Sequence, residues 1–310
     1  GAAGEGLARV QSGASWTSDA SVVLGSSGGG TVEVDGGEWT ANAAVTVADG
    51  GRGSVSVSGG GTWTSTDDVA VARYDRSVAE IAIDGATSGW RSEGAVALAV
   101  EAGSSVDVVV RPGAGWEALA DVTAGAGAGL ITLDGGEWAV ATGATADLGS
   151  GVAIEMNDGG LLRVDGELVH EAGMTLATGA RLAGRGLVRG DVTMGTGQGG
   201  TVEGEGTSQL LTLRGDITGN GLLRNVSHEG TNTVGESPGT QRWEGVLVLR
   251  TGNVLVMELA GDGEPGVAYA QVVGAGDLSL TLAGTLEVRL VGGYQPDAPA
   301  AFQLFQLAPG

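Results

Sequence analysis

The side chains with the widest catalytic reach in this chain are its two histidines, His170 and His228. A hydrolase of the serine type needs a histidine base beside a nucleophile, with a carboxylate to orient it. His170 lies in Glu-Leu-Val-His-Glu-Ala-Gly, beside two acids, and His228 in Asn-Val-Ser-His-Glu-Gly. Neither stands near a Gly-x-Ser-x-Gly or Gly-Asp-Ser-Gly sequence. A lone histidine in a turn is far more often a surface residue than a base, so both are expected on the surface. Cysteine is absent, which removes disulfides, zinc thiolates and thiol nucleophiles.

Glycosidase and lyase chemistry would need acids gathered on one face, often with Arg. Asp-Gly pairs occur at Asp35, Asp49, Asp84, Asp134, Asp158 and Asp165. Their spacing fits chain corners, where Asp caps turns by accepting from backbone amides. The densest polar cluster is Asp67, Asp68 and Asp75 with Arg73 and Arg76, and it reads equally well as a solvated loop. No EF-hand and no Gly-Gly-x-Gly-x-Asp run supports calcium. The glycine-rich stretch at 195–200 precedes neither a helix nor a lysine, so it fails as a phosphate loop. The expectation is a chain without catalytic, cofactor-binding or metal residues, whose corners keep carboxylates apart and solvated.

Composition points the same way. The net charge is −22, and all fifteen basic residues are Arg. Such a surface repels nucleic acid and anionic membranes. Gly contributes 61 of the 310 residues, against a usual share of about 7%. Hydrophobic residues make up 42%, too many for a disordered glycine-rich linker. Glycine corners between β-branched segments describe an all-β protein. No apolar run is long enough to span a bilayer, and no signal peptide is present. The start, Gly1-Ala2-Ala3-Gly4, reads as a mature boundary.

What must position any site is a repeat. Trp16, Trp39, Trp63, Trp90, Trp116 and Trp138 recur at intervals of 22 to 27 residues. Six and eight places after the Trp come Val22 and Leu24, Val45 and Val47, Val69 and Val71, Val96 and Leu98. Sixteen and eighteen places after come Val32 and Val34, Val55 and Val57, Val106 and Val108, Ile154 and Met156. The third repeat shows Ala79, Ile81 and Ile83, and the fifth slips by one to Ile131 and Leu133. Apolar pairs at i and i+2 mark one face of a strand. Each repeat therefore predicts three short strands. They are stable only when stacked, as a single elongated parallel β-solenoid of about 24 residues per coil, of either hand. Within it the six Trp form one buried ladder, the rival being an exposed aromatic stripe for sugars. The Gly pair of Asp35-Gly-Gly-Glu-Trp39 and Asp134-Gly-Gly-Glu-Trp138 supplies the positive-φ corner before the Trp. In the next repeat Leu161 takes the place of the Trp. Regular repeats are read over 1–160, degenerate coils over 161–235, and a distinct C-terminal β segment or cap over 236–310.

The unit from Gly36 to Trp63, with its Gly-Gly-x-Trp, two Val-x-Val strands and Gly-rich corners, resembles the repeat of bacterial autotransporter passengers and PEP-CTERM-associated surface proteins. Ser237-Pro238-Gly239-Thr240, ahead of paired strands, is similar to their Pro-Gly-Asn-Ser-Pro-Gly-Thr segment, with Gly235-Glu236 in place of the first three residues. Tyr269-Ala270 stands where they carry Tyr-Asp, so the Asp is missing. The resemblance covers about residues 10–160 and 230–310. It implies a parallel β-helix that is exported and displayed at the cell surface or secreted: a stalk, display or adhesive element. It implies no cofactor, and partners among glycans, neighbouring cells or copies of itself. Nucleic acid and membrane insertion within this chain are not expected, and a membrane barrel or anchor would lie beyond Gly310. The alternative expectation is a carbohydrate-active or glycan-binding parallel β-helix.

Overall fold

The computed structural model describes residues 4–296 and 300–307. Gly1–Ala3, part of the boundary read from the sequence, and the last three residues of the closing segment lie outside them. The described chain is all β, without a helix, wound as parallel coils of about 23 residues per turn, about 11 turns in all. No helix is long and apolar enough to cross a membrane. By internal contacts the chain divides into two compact units, Gly1–Ala172 and Gly173–Gly310.

In the first unit each coil contributes three strands. One coil runs through Glu38–Ala41, Val45–Val47 and Arg52–Ser58, the next through Thr62–Ser65, Val69–Val71 and Val78–Ile83. Every strand pairs in parallel with its equivalent one coil away. Trp16 lies opposite Trp39, then Trp63, Trp90, Trp116 and Trp138 in turn. Hydrogen-bonded strands sit about 4.8 Å apart, and the indole rings inherit that spacing. Their centroids are 4.4–5.1 Å apart, with planes within 4–7° of parallel. Trp39, Trp63, Trp90, Trp116 and Trp138 face inward and are at most 1% exposed, so they form no surface stripe. Trp16, in the first coil, is half-buried. Each stacked pair adds about 0.5–1.5 kcal/mol beyond the burial of its area.

The two glycines before the Trp do different jobs. Gly36 and Gly135 take φ of 69° and 75°. Gly37 does not; there the coil below comes too close for a side chain. A Cβ at Gly37 would lie 2.6 Å from the Gln11 carbonyl oxygen, and one at Gly136 2.6 Å from that of Val110. The third Asp-Gly-Gly behaves alike: Gly159 has φ 76°, and a Cβ at Gly160 would meet Leu133 O at 2.4 Å. Here the expectation for Leu161 needs correcting. Leu161 pairs with Glu137, and the residue opposite Trp138 is Leu162, which is fully buried. Counting from the Gly pair, Glu precedes Trp, so the inward place is the second residue after the glycines.

The third strand also needs a correction. Val55 and Val57 lie opposite Ile81 and Ile83, and these opposite Val108 and Val110, not Val106 and Val108 as fixed offsets from the Trp require. The corner before this strand is two residues longer in those coils. A change of two keeps the inward face inward, which is why the pattern survives it. The shorter fifth repeat brings Ile131 and Leu133 back onto Val108 and Val110.

The second unit keeps the parallel pairing with altered corners. The first and second strands fuse into Gly221–Glu229 and Thr240–Leu249, with a register shift after Arg224 where Asn225 adopts φ 54°. Asn225 Oδ1 accepts from the Val246 amide at 3.0 Å, which secures the shift. In the Ser237-Pro238-Gly239-Thr240 corner a Cβ on Gly235 would lie 2.2 Å from Gly239 Cα, so backbone packs on backbone. Past residue 236 the strands continue coil on coil: Val254–Leu259 pairs with Thr285–Leu290, and Gln271–Gly274 with Phe305–Leu307.

The Trp column contains its own experiment. The indole N–H groups of Trp39, Trp90 and Trp116 donate to Ser18, Ser65 and Ser92 of the preceding coil at 3.2–3.3 Å. Each Ser sits two places after a Trp. At the same place before Trp63 and Trp138 stand Ala41 and Ala118, and the Nε1 atoms of those two Trp have no partner. We expect Ala41→Ser to stabilise the protein by about 0.5–1.5 kcal/mol through the restored bond, read as a raised midpoint of chemical unfolding; an unchanged or lowered midpoint would contradict the assignment. Truncation by Trp63→Ala should cost about 3–5 kcal/mol, and a loss under about 1 kcal/mol would place that ring outside the core.

Candidate functional site

Both histidines are buried, which corrects the expectation of surface turn residues. His170 ends the strand Glu167–His170 and is 0% exposed; its Nε2–H donates to Val152 O at 2.9 Å, and its Nδ1 has no partner. His228 lies within Gly221–Glu229, also 0% exposed. Its Nε2 is 2.8 Å from Gly215 O and its Nδ1 2.8 Å from the Asn253 side-chain amide. A carbonyl can only accept, so Nε2 carries the proton, and Nδ1 accepts from Asn253. Inward alternation placed both rings in the core, where burial pushes each imidazole below its ordinary pKa. Neither has a nucleophile as hydrogen-bond partner.

The carboxylates divide into three groups. Those expected to cap Asp-Gly corners by accepting from amides do something else: Asp35 accepts from Ser58 Oγ at 3.2 Å, while Asp49, Asp84 and Asp165 lie 3.6, 3.5 and 2.8 Å from Arg73, Arg111 and Arg163. Asp134 and Asp158 are exposed. Local amides are accepted by Asp67 and Asp147, and amides of the following coil by Asp68, Asp121, Asp191 and Asp216. The latter four take the backbone N–H of Ala95, Thr145, Asp216 and Thr231, each in the next coil, at 2.8–3.1 Å. In the Asp67, Asp68, Asp75 cluster, Arg76 lies 3.7 Å from Asp75 and Arg73 stacks over the Tyr74 ring at 4.9 Å.

The third group is not among the residues the sequence analysis singles out. In the second unit Arg181, Glu203, Arg224, Glu244 and Arg242 form one run across neighbouring strands. Arg224 reaches Glu203 at 3.3 Å and Glu244 at 2.9 Å, and Arg242 reaches Glu244 at 3.0 Å; Arg181 bonds Glu203. The Glu244 hydrogen bond raises the Arg224 pKa above its ordinary value. In the first unit Glu80 lies directly opposite Asp107. Burial, and secondarily Glu80, raise the Asp107 carboxyl. These acids adjoin one another instead of being kept apart.

One outer face of the first unit carries a shallow depression of about 660 Å³. Gly89 and Gly115 leave a bare backbone floor, rimmed by Thr64, Arg91, Glu117, Glu137, Arg163 and Asp165. Arg91 bonds Glu93 at 3.0 Å and also Glu117, and Arg163 bonds Asp165 at 2.8 Å. Its guanidinium groups are committed to carboxylates; a second depression, of about 530 Å³, brings Glu5, Glu33 and Glu80 together with Arg52. Among the described residues no group of three or more His, Asp or Glu is placed to hold a metal ion.

The buried histidines make acid stability testable. Folding holds them neutral, while the unfolded chain protonates them near pH 6.5. Below that pH the unfolded state binds more protons, so stability falls as pH drops through about 6.5 and is unaffected by these groups well above it. Replacing His228→Gln should lower the acid slope of the unfolding free energy by up to one proton, about 1.4 kcal/mol per pH unit, in urea titrations between about pH 5 and 7.5. An unchanged slope would mean that His228 is not held neutral by the fold.

No known protein family matches the chain, and no curated protein matches it. Among solved structures it is similar to the crystal structure of a TibC-catalysed hyper-glycosylated TibA fragment, at 17% identity with a TM-score of 0.28, over 91% of this chain and 92% of that one.

Proposed function

We propose that the chain is a non-enzymatic structural β-solenoid of the bacterial cell surface or secreted space, serving as a stalk, display or adhesive element. One observation carries the reading: many of the side chains able to do chemistry are used to join one coil to the next. The histidines bond backbone carbonyls, the aspartates hold amides of the following coil, and the arginines bridge glutamates on adjacent strands. General acid and base catalysis needs such groups free and convergent in a cleft. The resemblance of the Gly-Gly-x-Trp unit to surface-protein repeats supports the placement outside the cell. The net charge of −22 argues against nucleic acid as a partner, and the resemblance leaves glycans, other cells or further copies as the proposed ones. In this reading residues 1–160 are the regular body, 161–235 its degenerate continuation and 236–310 the closing segment.

The depression over Gly89 and Gly115 favours a second reading, a carbohydrate-active or glycan-binding face. Incubating the purified chain with acidic and neutral polysaccharides and with casein separates the two. Under the structural reading nothing is released. Reproducible appearance of reducing ends, unsaturated products or peptides would overturn it, all the more if Glu117→Gln abolished the release.

A further inference from the structure

The depression beside Arg52 lies on a different sheet from the one over Gly89 and Gly115, and its chemistry differs. Its polar groups come from three consecutive parallel strands, Gly29–Asp35, Arg52–Ser58 and Val78–Ile83. Val55, Val57, Ile81 and Ile83 fill the core, and the residues alternating with them, Arg52, Ser54, Val78 and Glu80, face outward. Pairing sets Arg52 between Gly29 and Val78, and Ser54 between Thr31 and Glu80. Glu5 and Leu7 of the preceding strand also line the depression, but the polar set is complete without them. Arg52 differs from the arginines described above: its guanidinium has no hydrogen bond or ion pair among the described residues, on a chain of net charge −22. Glu33 is held by Arg9 at 2.6 Å. Glu80 has no cation paired with it among the described residues, and the residue opposite it in the next coil is a second acid, Asp107. Between Glu33 and Glu80, Thr31 Oγ1 and Ser54 Oγ lie 2.9 Å apart. One O–H is spent within that pair, which leaves the other to give.

These charges select the ligand. An anion gains Arg52 but stands beside Glu80 and Asp107. A cation gains those acids but meets Arg52, and among the described residues no three acids converge to hold a metal ion. A neutral molecule with adjacent hydroxyls satisfies both sides. Its oxygens accept from the five N–H donors of Arg52, and its O–H groups donate to the Glu80 carboxylate. We propose that this face binds a neutral oligosaccharide, with Arg52 as donor, Glu80 as acceptor, the Thr31–Ser54 pair beneath the sugar and Val78 against its C–H face. The volume of about 530 Å³ falls within the range of small-molecule sites, about 300–1,000 Å³. No aromatic side chain among the described residues lines it, so affinity rests on charge-assisted hydrogen bonds, and a Kd on the order of 1 mM is expected. The site needs no turnover and lies on another sheet, so it stands or falls independently of the polysaccharide and casein trial.

Saturation-transfer NMR titrations on the full 310-residue chain test it. The probes are maltohexaose, cellotetraose and mannotetraose, with tetragalacturonate as the acidic counterpart and a blocked Gly-Ser peptide as a neutral molecule that is not a sugar. At least one neutral oligosaccharide should bind at millimolar concentration, and more tightly than tetragalacturonate or the peptide. Arg52→Ala and Glu80→Gln should each weaken that binding at least about tenfold, while Glu117→Gln, in the other depression, leaves it unchanged. Arg52 and Glu80 are exposed, so neither substitution should lower the unfolding midpoint, which verifies that the variants fold. Failure of every neutral oligosaccharide to bind, tighter binding of tetragalacturonate or the peptide, undiminished binding by folded Arg52→Ala or Glu80→Gln chains, or loss of binding in Glu117→Gln would each overturn the proposal.

Discussion

The constraint on which the rest depends is parallel pairing in register, repeated at every coil. Once a strand is hydrogen-bonded directly above its predecessor, each inward residue stands on its own equivalent and a side chain is selected as a member of a column. A Trp fits because the next Trp is one strand spacing away and nearly parallel to it. The second glycine of Asp-Gly-Gly is there because the carbonyl beneath leaves no room for a Cβ. Corners absorb the variation in length. They add two residues in the coils after Trp63 and Trp90 and drop three after Trp116, while the columns remain aligned.

The same constraint gives polar residues a use. A carboxylate on an outer face finds its partner one coil away, so Asp68 holds Ala95 N and Arg91 holds Glu117. Exposed ion pairs of this kind contribute little singly, but a run such as Arg181 to Arg242 offsets like-charge repulsion on a chain of net charge −22. Inside, hydrogen bonds are completed where the chemistry permits. Ser18, Ser65 and Ser92 accept from indole nitrogens, and Gln241 takes both Asn232 and Trp243.

Much of the architecture could be read from residue spacing, because Trp and paired Val at i and i+2 are rare enough to align by eye. Reading failed where one residue of offset mattered. Leu161 and Leu162 are chemically identical neighbours, and only strand pairing tells which faces inward. The histidines were misplaced because Glu and Gly around them signal a turn, whereas alternation along Glu167–His170 places the ring inside. The Arg–Glu run was legible in principle: Arg181, Glu203, Arg224 and Glu244 are 20 to 22 residues apart. Without a Trp to mark the phase, that spacing could not be told from scatter. The depression over Gly89 and Gly115 had no signal, since glycine before Trp reads as a corner and not as a missing side chain.

The stack of indoles has an optical consequence. Six chromophores held nearly parallel at 4.4–5.1 Å are close enough for their transition dipoles to couple. Nearly parallel dipoles give little exciton circular dichroism, so ring-on-ring order shows instead as a shift of the indole absorption, and a single slipped coil would divide the coupled column into two shorter segments.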